Sequence, residues 1–314
     1  MSQANAVIES AGPREGKVEA NGLTLHYEER GRPDGEPLVL VMGLGAQMTL
    51  WPEPLLDRYV AAGFRVIRFD NRDIGLSSEI RERLEGPPPV AMLRYKLGWS
   101  VLAPYRLEDM ADDLGALMTA LGVESAHLVG ASMGGMISQI FAAREPQRVR
   151  SLTLIMTSTN SPRLPMPHPR VIWGLNGGGI KGHHEDAAVA RGVAFWRTIQ
   201  SPAYPRDEDE LAQRIRNDYR RSYRPAGILR QMRAIMATGS LEDYSRRIEV
   251  PTRILHGTAD PLVKPPAARQ LRKLIRHSEV CWFRGMGHDL PEALFDPIVE
   301  QTLQVSQRIN QTGH

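Results

Sequence analysis

Short apolar runs recur along the chain, with helical spacing or turn composition between them. Leu23–Tyr27 alternates apolar and polar positions after an Asn21-Gly22 turn, which predicts an edge strand. Pro37–Met42 is continuously apolar, the pattern of a parallel strand covered on both faces. Phe64–Phe69, Ala126–Gly130, Ser151–Met156, Thr252–His256 and Glu279–Phe283 predict further strands. Helical spacing marks Leu55–Ala62, Leu107–Leu121, Met136–Arg144, Ala267–Leu274 and Asp296–Arg308. Strands alternating with helices predict an α/β fold, a doubly wound and mostly parallel sheet with helices on both faces.

One stretch breaks the rhythm. Residues 158–247 hold no strand pattern but a proline-rich opening (Pro162, Pro165, Pro167, Pro169), a glycine run at 177–179 and several helical segments. This predicts a helical lid inserted into a core made of residues 17–157 and 248–305. Residues 1–16 and 306–314 are expected to be loose termini. A smaller irregular piece, 79–105, contains Pro87-Pro88-Pro89 and could border the same site.

Composition narrows the setting. The chain has 314 residues, 42% hydrophobic and 24% charged, which suits a globular protein with a substantial core. A net charge of +3 calls for no nucleic-acid partner. Arg216, Arg220 and Arg224 recur every four residues beside Ile215, Tyr219 and Tyr223, the mark of an amphipathic helix with a solvated basic face. The lone cysteine, Cys281, excludes an internal disulfide and fits a reducing compartment; its apolar surroundings predict a buried thiol. The N-terminus has no basic segment followed by an apolar core, and no stretch reaches the roughly 18 apolar residues of a membrane span. A cytoplasmic protein is expected. Oligomeric state is not legible.

Chemistry concentrates at Gly130-Ala131-Ser132-Met133-Gly134-Gly135, a Gly-x-Ser-x-Gly motif between a predicted strand and a predicted helix. A serine on such a turn is forced into strained geometry with Oγ exposed, and only small neighbours permit it. An activated serine needs a base, and the base needs an orienting acid. Asp260 follows the strand Thr252–His256, and His288 follows the strand Glu279–Phe283, so both fall on loops leaving the sheet edge. Thr157–His184 offers no acid at the alternative position, which favours Asp260. Two N–H donors for an oxyanion are expected from Met133 and from Leu44, the latter in the glycine-flanked loop after Pro37–Met42. Trp51, Trp173 and Leu262 are candidate substrate-pocket walls. Met156, Met166, Trp196, Met232 and Met236 add apolar and aromatic surface suited to an acyl or aryl group, or to the lid's own core. His26, His127 and His256 read as structural. His183-His184-Glu185-Asp186 lacks partners at metal-ligand spacing and reads as a solvated loop.

Val41-Met42-Gly43-Leu44-Gly45, Phe69-Asp70-Asn71-Arg72-Asp73-Ile74-Gly75-Leu76-Ser77, Gly130–Gly135, His256-Gly257-x-x-Asp260 and Gly287-His288 together resemble the α/β-hydrolase superfamily, over about 23–303. The Asp-Asn-Arg-Asp-x-Gly-x-Ser stretch is similar to that of bacterial esterases of the aclacinomycin methylesterase kind. Many relatives carry His-Gly where this chain has Met42-Gly43, and Ser132 excludes the relatives with an aspartate nucleophile. The resemblance implies a serine hydrolase acting on a small-molecule carboxylic ester, with no cofactor or metal. Amidase, iminopeptidase, thioesterase, acyltransferase and C–C bond hydrolase chemistry use the same three residues, and a non-catalytic ligand receptor is a further alternative.

Overall fold

In the strand Glu36–Val41, Leu38 and Leu40 turn to one apolar cluster while Val39 and Val41 turn to another, and all four are buried. A strand with two covered faces belongs in the middle of a sheet packed between helix layers. The structure, a computed structural model, describes residues 12–175, 179–182 and 184–307. Its strands are β1 (Arg14–Ala20), β2 (Leu23–Arg30), β3 (Glu36–Val41), β4 (Phe64–Phe69), β5 (Ala126–Ala131), β6 (Val149–Ile155), β7 (Thr252–Gly257) and β8 (Ser278–Phe283). They form one sheet in the order β1-β2-β4-β3-β5-β6-β7-β8. β1 pairs antiparallel with β2 and β2 antiparallel with β4; every later pairing is parallel.

Helices α1 (Glu53–Ala61) and α11 (Phe295–Gln307) cover one face through Leu55, Leu56, Tyr59, Phe295 and Ile298. Helices α3 (Leu107–Ala120), α4 (Met133–Arg144) and α10 (Pro266–Leu274) cover the other through Leu107, Leu114, Ile137, Ile140 and Leu271. Helix α2 (Pro88–Lys96) lies in the second irregular piece; its prolines sit at the first turn, where no intrahelical N–H is lost. Between β6 and β7 come α5 (Pro169–Leu175), α6 (Glu185–Ile199), α7 (Glu208–Arg221), α8 (Pro225–Thr238) and α9 (Glu242–Arg246).

The structure corrects the expected termini. Arg14–Gly16 belong to β1, and Ser306 and Gln307 belong to α11. β1 escaped notice because Val18 and Ala20 are its only apolar residues. Residues 1–11 and 308–314 lie outside the described residues, as do 176–178 of the glycine run and its surroundings.

After β3 the chain pairs β4 on one side, then crosses to place β5 on the other. Where strand order reverses, the loops leaving two neighbouring strands diverge and open a crevice at the sheet's carboxyl edge. The loops after β3 and β5 meet there.

Candidate active site

Ser132 sits between β5 and α4 with φ 54° and ψ −120°, a left-handed backbone that a side chain rarely adopts. Its N–H donates to Ile155 O (2.9 Å) and its carbonyl accepts from Thr157 Oγ1 (2.6 Å), so β6 and the residues just after it hold the turn. The flanking glycines are required by space. A Cβ on Gly134 would fall 2.0 Å from Val41 O, and one on Gly130 would fall 2.6 Å from Gly134 O. Helix α4 begins at Met133, earlier than the apolar spacing suggested, so the helix N-terminus lies directly against the serine.

Asp260 and His288 arrive from the loops after β7 and β8. Asp260 is buried, and its Oδ1 accepts the N–H groups of Leu262 (2.9 Å) and Val263 (2.8 Å). Its Oδ2 lies 2.8 Å from His288 Nδ1, and His288 Nε2 lies 3.0 Å from Ser132 Oγ. Nδ1 donates to the carboxylate, which leaves Nε2 free to accept from the serine hydroxyl. The histidine loop is pinned from the inserted helices: His288 N donates to Ile199 O (2.7 Å), and Gly287 N to Ser201 Oγ (2.8 Å). Ser201 Oγ in turn donates to Asp289, whose burial pushes its carboxyl above the usual range.

Gly43–Ala46 forms a turn closed by Ala46 N to Gly43 O (3.4 Å). It passes close to the serine, since a Cβ on Gly43 would meet Ser132 Cβ at 3.1 Å. Gln231 of α8 takes the Gly45 N–H at 2.9 Å, so that donor is engaged. Met133, the first residue of α4, has no intrahelical acceptor for its N–H. Leu44 thus lies in the turn that passes Ser132, and Met133 is the residue that follows it.

The loop after β4 underlies this turn. Asp70 accepts Met48 N (2.8 Å) and Leu76 N (2.9 Å), and pairs with Arg221 of α7 at 2.8 Å. Asn71 Nδ2 donates to Met42 O (2.9 Å). Asp73 receives two hydrogen bonds from Arg230 of α8 and one from Tyr105 Oη. The sequence displayed this motif, but its supporting role depends on partners far along the chain.

The expected pocket walls separate. Trp51 is fully buried in the core beneath α1, so it is a packing residue rather than an open wall. Trp173 is 57% exposed on the short helix α5. Leu262 flanks Asp260 and is half-buried. His184 caps α6, while Glu185 and Asp186 pair with Arg216, and Arg220 also reaches Glu185. The expected basic face of α7 is thus tied partly to α6. His183 lies outside the described residues. Among the described residues no cluster of His, Cys, Asp and Glu is arranged to hold a metal. His127 bridges Ser151 and Glu36, His256 contacts Val263 O, and burial lowers the pKa of both. Cys281 is half-buried, less covered than expected. Among the described residues, no helix is long and apolar enough to cross a membrane.

A family model described as alpha/beta hydrolase fold matches residues 36–292. Rhodomycin D methylesterase from Streptomyces peucetius is 27% identical over 301 residues, spanning 88% of this chain and 92% of that protein. Among solved structures, the enol-lactonase from Burkholderia xenovorans LB400 aligns with a TM-score of 0.70 at 21% identity, over 92% of this chain and 99% of its own. The esterase RhEst1 from Rhodococcus sp. ECU1013 aligns with a TM-score of 0.68 at 21% identity, over 96% and 100%. At these identities the two structures bear on the fold.

Proposed function

The chain belongs to the alpha/beta hydrolase fold family, and from that premise we propose that it is a serine carboxylic ester hydrolase whose nucleophile is Ser132. One observation carries the reading: the unbroken contact from Asp260 Oδ2 through His288 to Ser132 Oγ, at 2.8 and 3.0 Å. His288 Nε2 takes the serine proton as Oγ attacks the acyl carbon, and Asp260 holds the tautomer and the resulting imidazolium. The N–H groups of Leu44 and Met133 carry the oxyanion, a donor pair of which each member typically contributes a hundredfold or more in rate. His288 then protonates the departing alcohol. Water deprotonated by the same imidazole releases the acid and restores Ser132.

The inserted segment, residues 158–247, acts in this reading as a lid over the carboxyl edge. Its support is that α7 and α8 bond to the loops after β3 and β4. The methylesterase relative supports a small alcohol as leaving group. A small or medium apolar or aryl ester and a cytoplasmic setting complete the proposal. Hydrolysis of 4-nitrophenyl esters of graded acyl length, beside Ser132→Ala, tests it. The wild type should turn over at least one ester, and the variant should lose about five orders of magnitude in kcat with its fold intact. Equal turnover by the two proteins would overturn the assignment.

A further inference from the structure

Helix α7 turns Leu211, Arg214, Asp218 and Arg221 to one side, at the spacing of a single helix face. Asp218 accepts from Thr49 Oγ1 (2.6 Å) and Arg221 pairs with Asp70, which fixes this face against the loop that follows Leu44. Ahead of α7, Arg206 donates to Leu290 O and lies 3.7 Å from Asp289 Oδ2, in the loop that carries His288. Arg214 stands between these two anchor points. Its electrostatic neighbours come from both sides, Asp218 from one and Arg206 and Asp289 from the other.

The guanidinium of Arg214 lies 4.8 Å over the Trp196 ring, and that of Arg206 lies 5.9 Å over the same ring. Nε and Nη2 of Arg214 are buried and reach no acceptor among the described residues. Neither acid nearby bonds to it: Thr49 donates to Asp218 Oδ1 and Ser201 to Asp289 Oδ1, while Asp289 Oδ2 is buried without a hydrogen-bond partner of its own, 3.7 Å from Arg206. A buried, unmatched donor pair beside a second cation is unfavourable. Burial, then Arg206, brings the pKa of Arg214 down to about 10, so it stays charged at neutral pH. The planar fork of a guanidinium matches a carboxylate through two parallel hydrogen bonds.

We propose that Arg214 receives a carboxylate carried by the substrate in addition to its scissile ester, so that half-esters of dicarboxylic acids are the preferred class. This rests on the ester hydrolase reading above. The second carboxylate takes no part in the chemistry; it anchors the acyl chain while Ser132 attacks the ester carbon.

The test uses the full chain and monomethyl esters of dicarboxylic acids of graded length, each against the methyl ester of the monocarboxylic acid with the same carbon number, by pH-stat. The wild type should favour the half-ester at least tenfold in kcat/KM at one length, mainly through KM. Arg214→Gln should abolish that preference and Arg214→Lys should restore part of it, while Arg220→Gln on the exposed side of α7 should keep it. A wild type that hydrolyses both series without preferring any half-ester overturns the proposal even if no Arg214 variant folds, and so does a preference that survives Arg214→Gln. Failure to hydrolyse either series, combined with no turnover of the 4-nitrophenyl panel, would count against the ester hydrolase reading itself.

Discussion

The loops at the carboxyl edge of the sheet and the helices inserted between β6 and β7 meet at one seam, yet different forces hold them. Ser132 and Asp260 leave strands buried along their whole length and His288 leaves the half-buried edge strand β8, and a backbone contact from Ser132 N to Ile155 O fixes the serine turn. The inserted helices add charged contacts to the apolar ones made by Ala234 and Leu241: Arg221 to Asp70, Arg230 to Asp73, Arg206 to the histidine loop. Apolar burial is non-directional and tolerant, whereas a buried ion pair fails when one partner is lost. In the proposed reading the catalytic geometry therefore rests on the sheet, while the inserted helices are seated on it by a few named side chains.

Breaking the rigid side at its acid gives the largest effect. Asp260→Asn keeps the loop but presents an N–H to His288 and favours the wrong tautomer, so kcat should fall by about 10⁴ with little change in KM. A loss under tenfold, read by steady-state kinetics, would move the orienting role elsewhere.

The seam should respond in stability rather than chemistry. Asp73→Asn removes one of the two carboxylates that pair with Arg230, leaving Glu79 at 3.2 Å, and disturbs Tyr105. Losing that charge-assisted pair should cost about 1–3 kcal/mol, measurable by urea unfolding. A cost below about 1 kcal/mol would mean that apolar packing, not charge, seats α8.

The strand histidines give the smallest signal. Burial lowers the pKa of His127 and of His256 below 6.5, so the folded state binds fewer protons than the unfolded chain. Their stabilisation is full above about pH 6.5 and is lost as pH falls through the folded values. The thermal midpoint should be flat above pH 7 and should drop by a few degrees toward pH 5. His256→Asn should flatten that acid slope; an unchanged slope would assign it to other groups.

What the sequence disclosed follows the same division. Strands β2 to β8 were legible because burial on both faces leaves continuous apolar runs and burial on one face leaves alternating ones. The serine, acid and histidine were legible because tight turns demand glycine or proline beside them, as in Gly130–Gly135, Asp260-Pro261 and Gly287-His288. Trp51 was misread, since an aromatic residue after a glycine loop looks the same whether it lines a pocket or fills the core. Gln231, Ser201 and Arg230 gave no local sign, because their partners at Gly45, Gly287 and Asp73 lie far away in sequence. Arg214 was hidden within a helix that also carries Arg216 and Arg220, which reach α6, and Arg221, which reaches Asp70.

The most direct measurement is covalent labelling of the full chain with a fluorophosphonate, followed by mass spectrometry of the modified peptide. An alcohol activated by His288 should be phosphonylated at Ser132 alone, at one label per chain, and His288→Ala should slow the labelling by orders of magnitude. Stoichiometric labelling at another residue, or labelling of Ser132 that proceeds equally fast without the imidazole, would contradict the claim that these three side chains work as one unit.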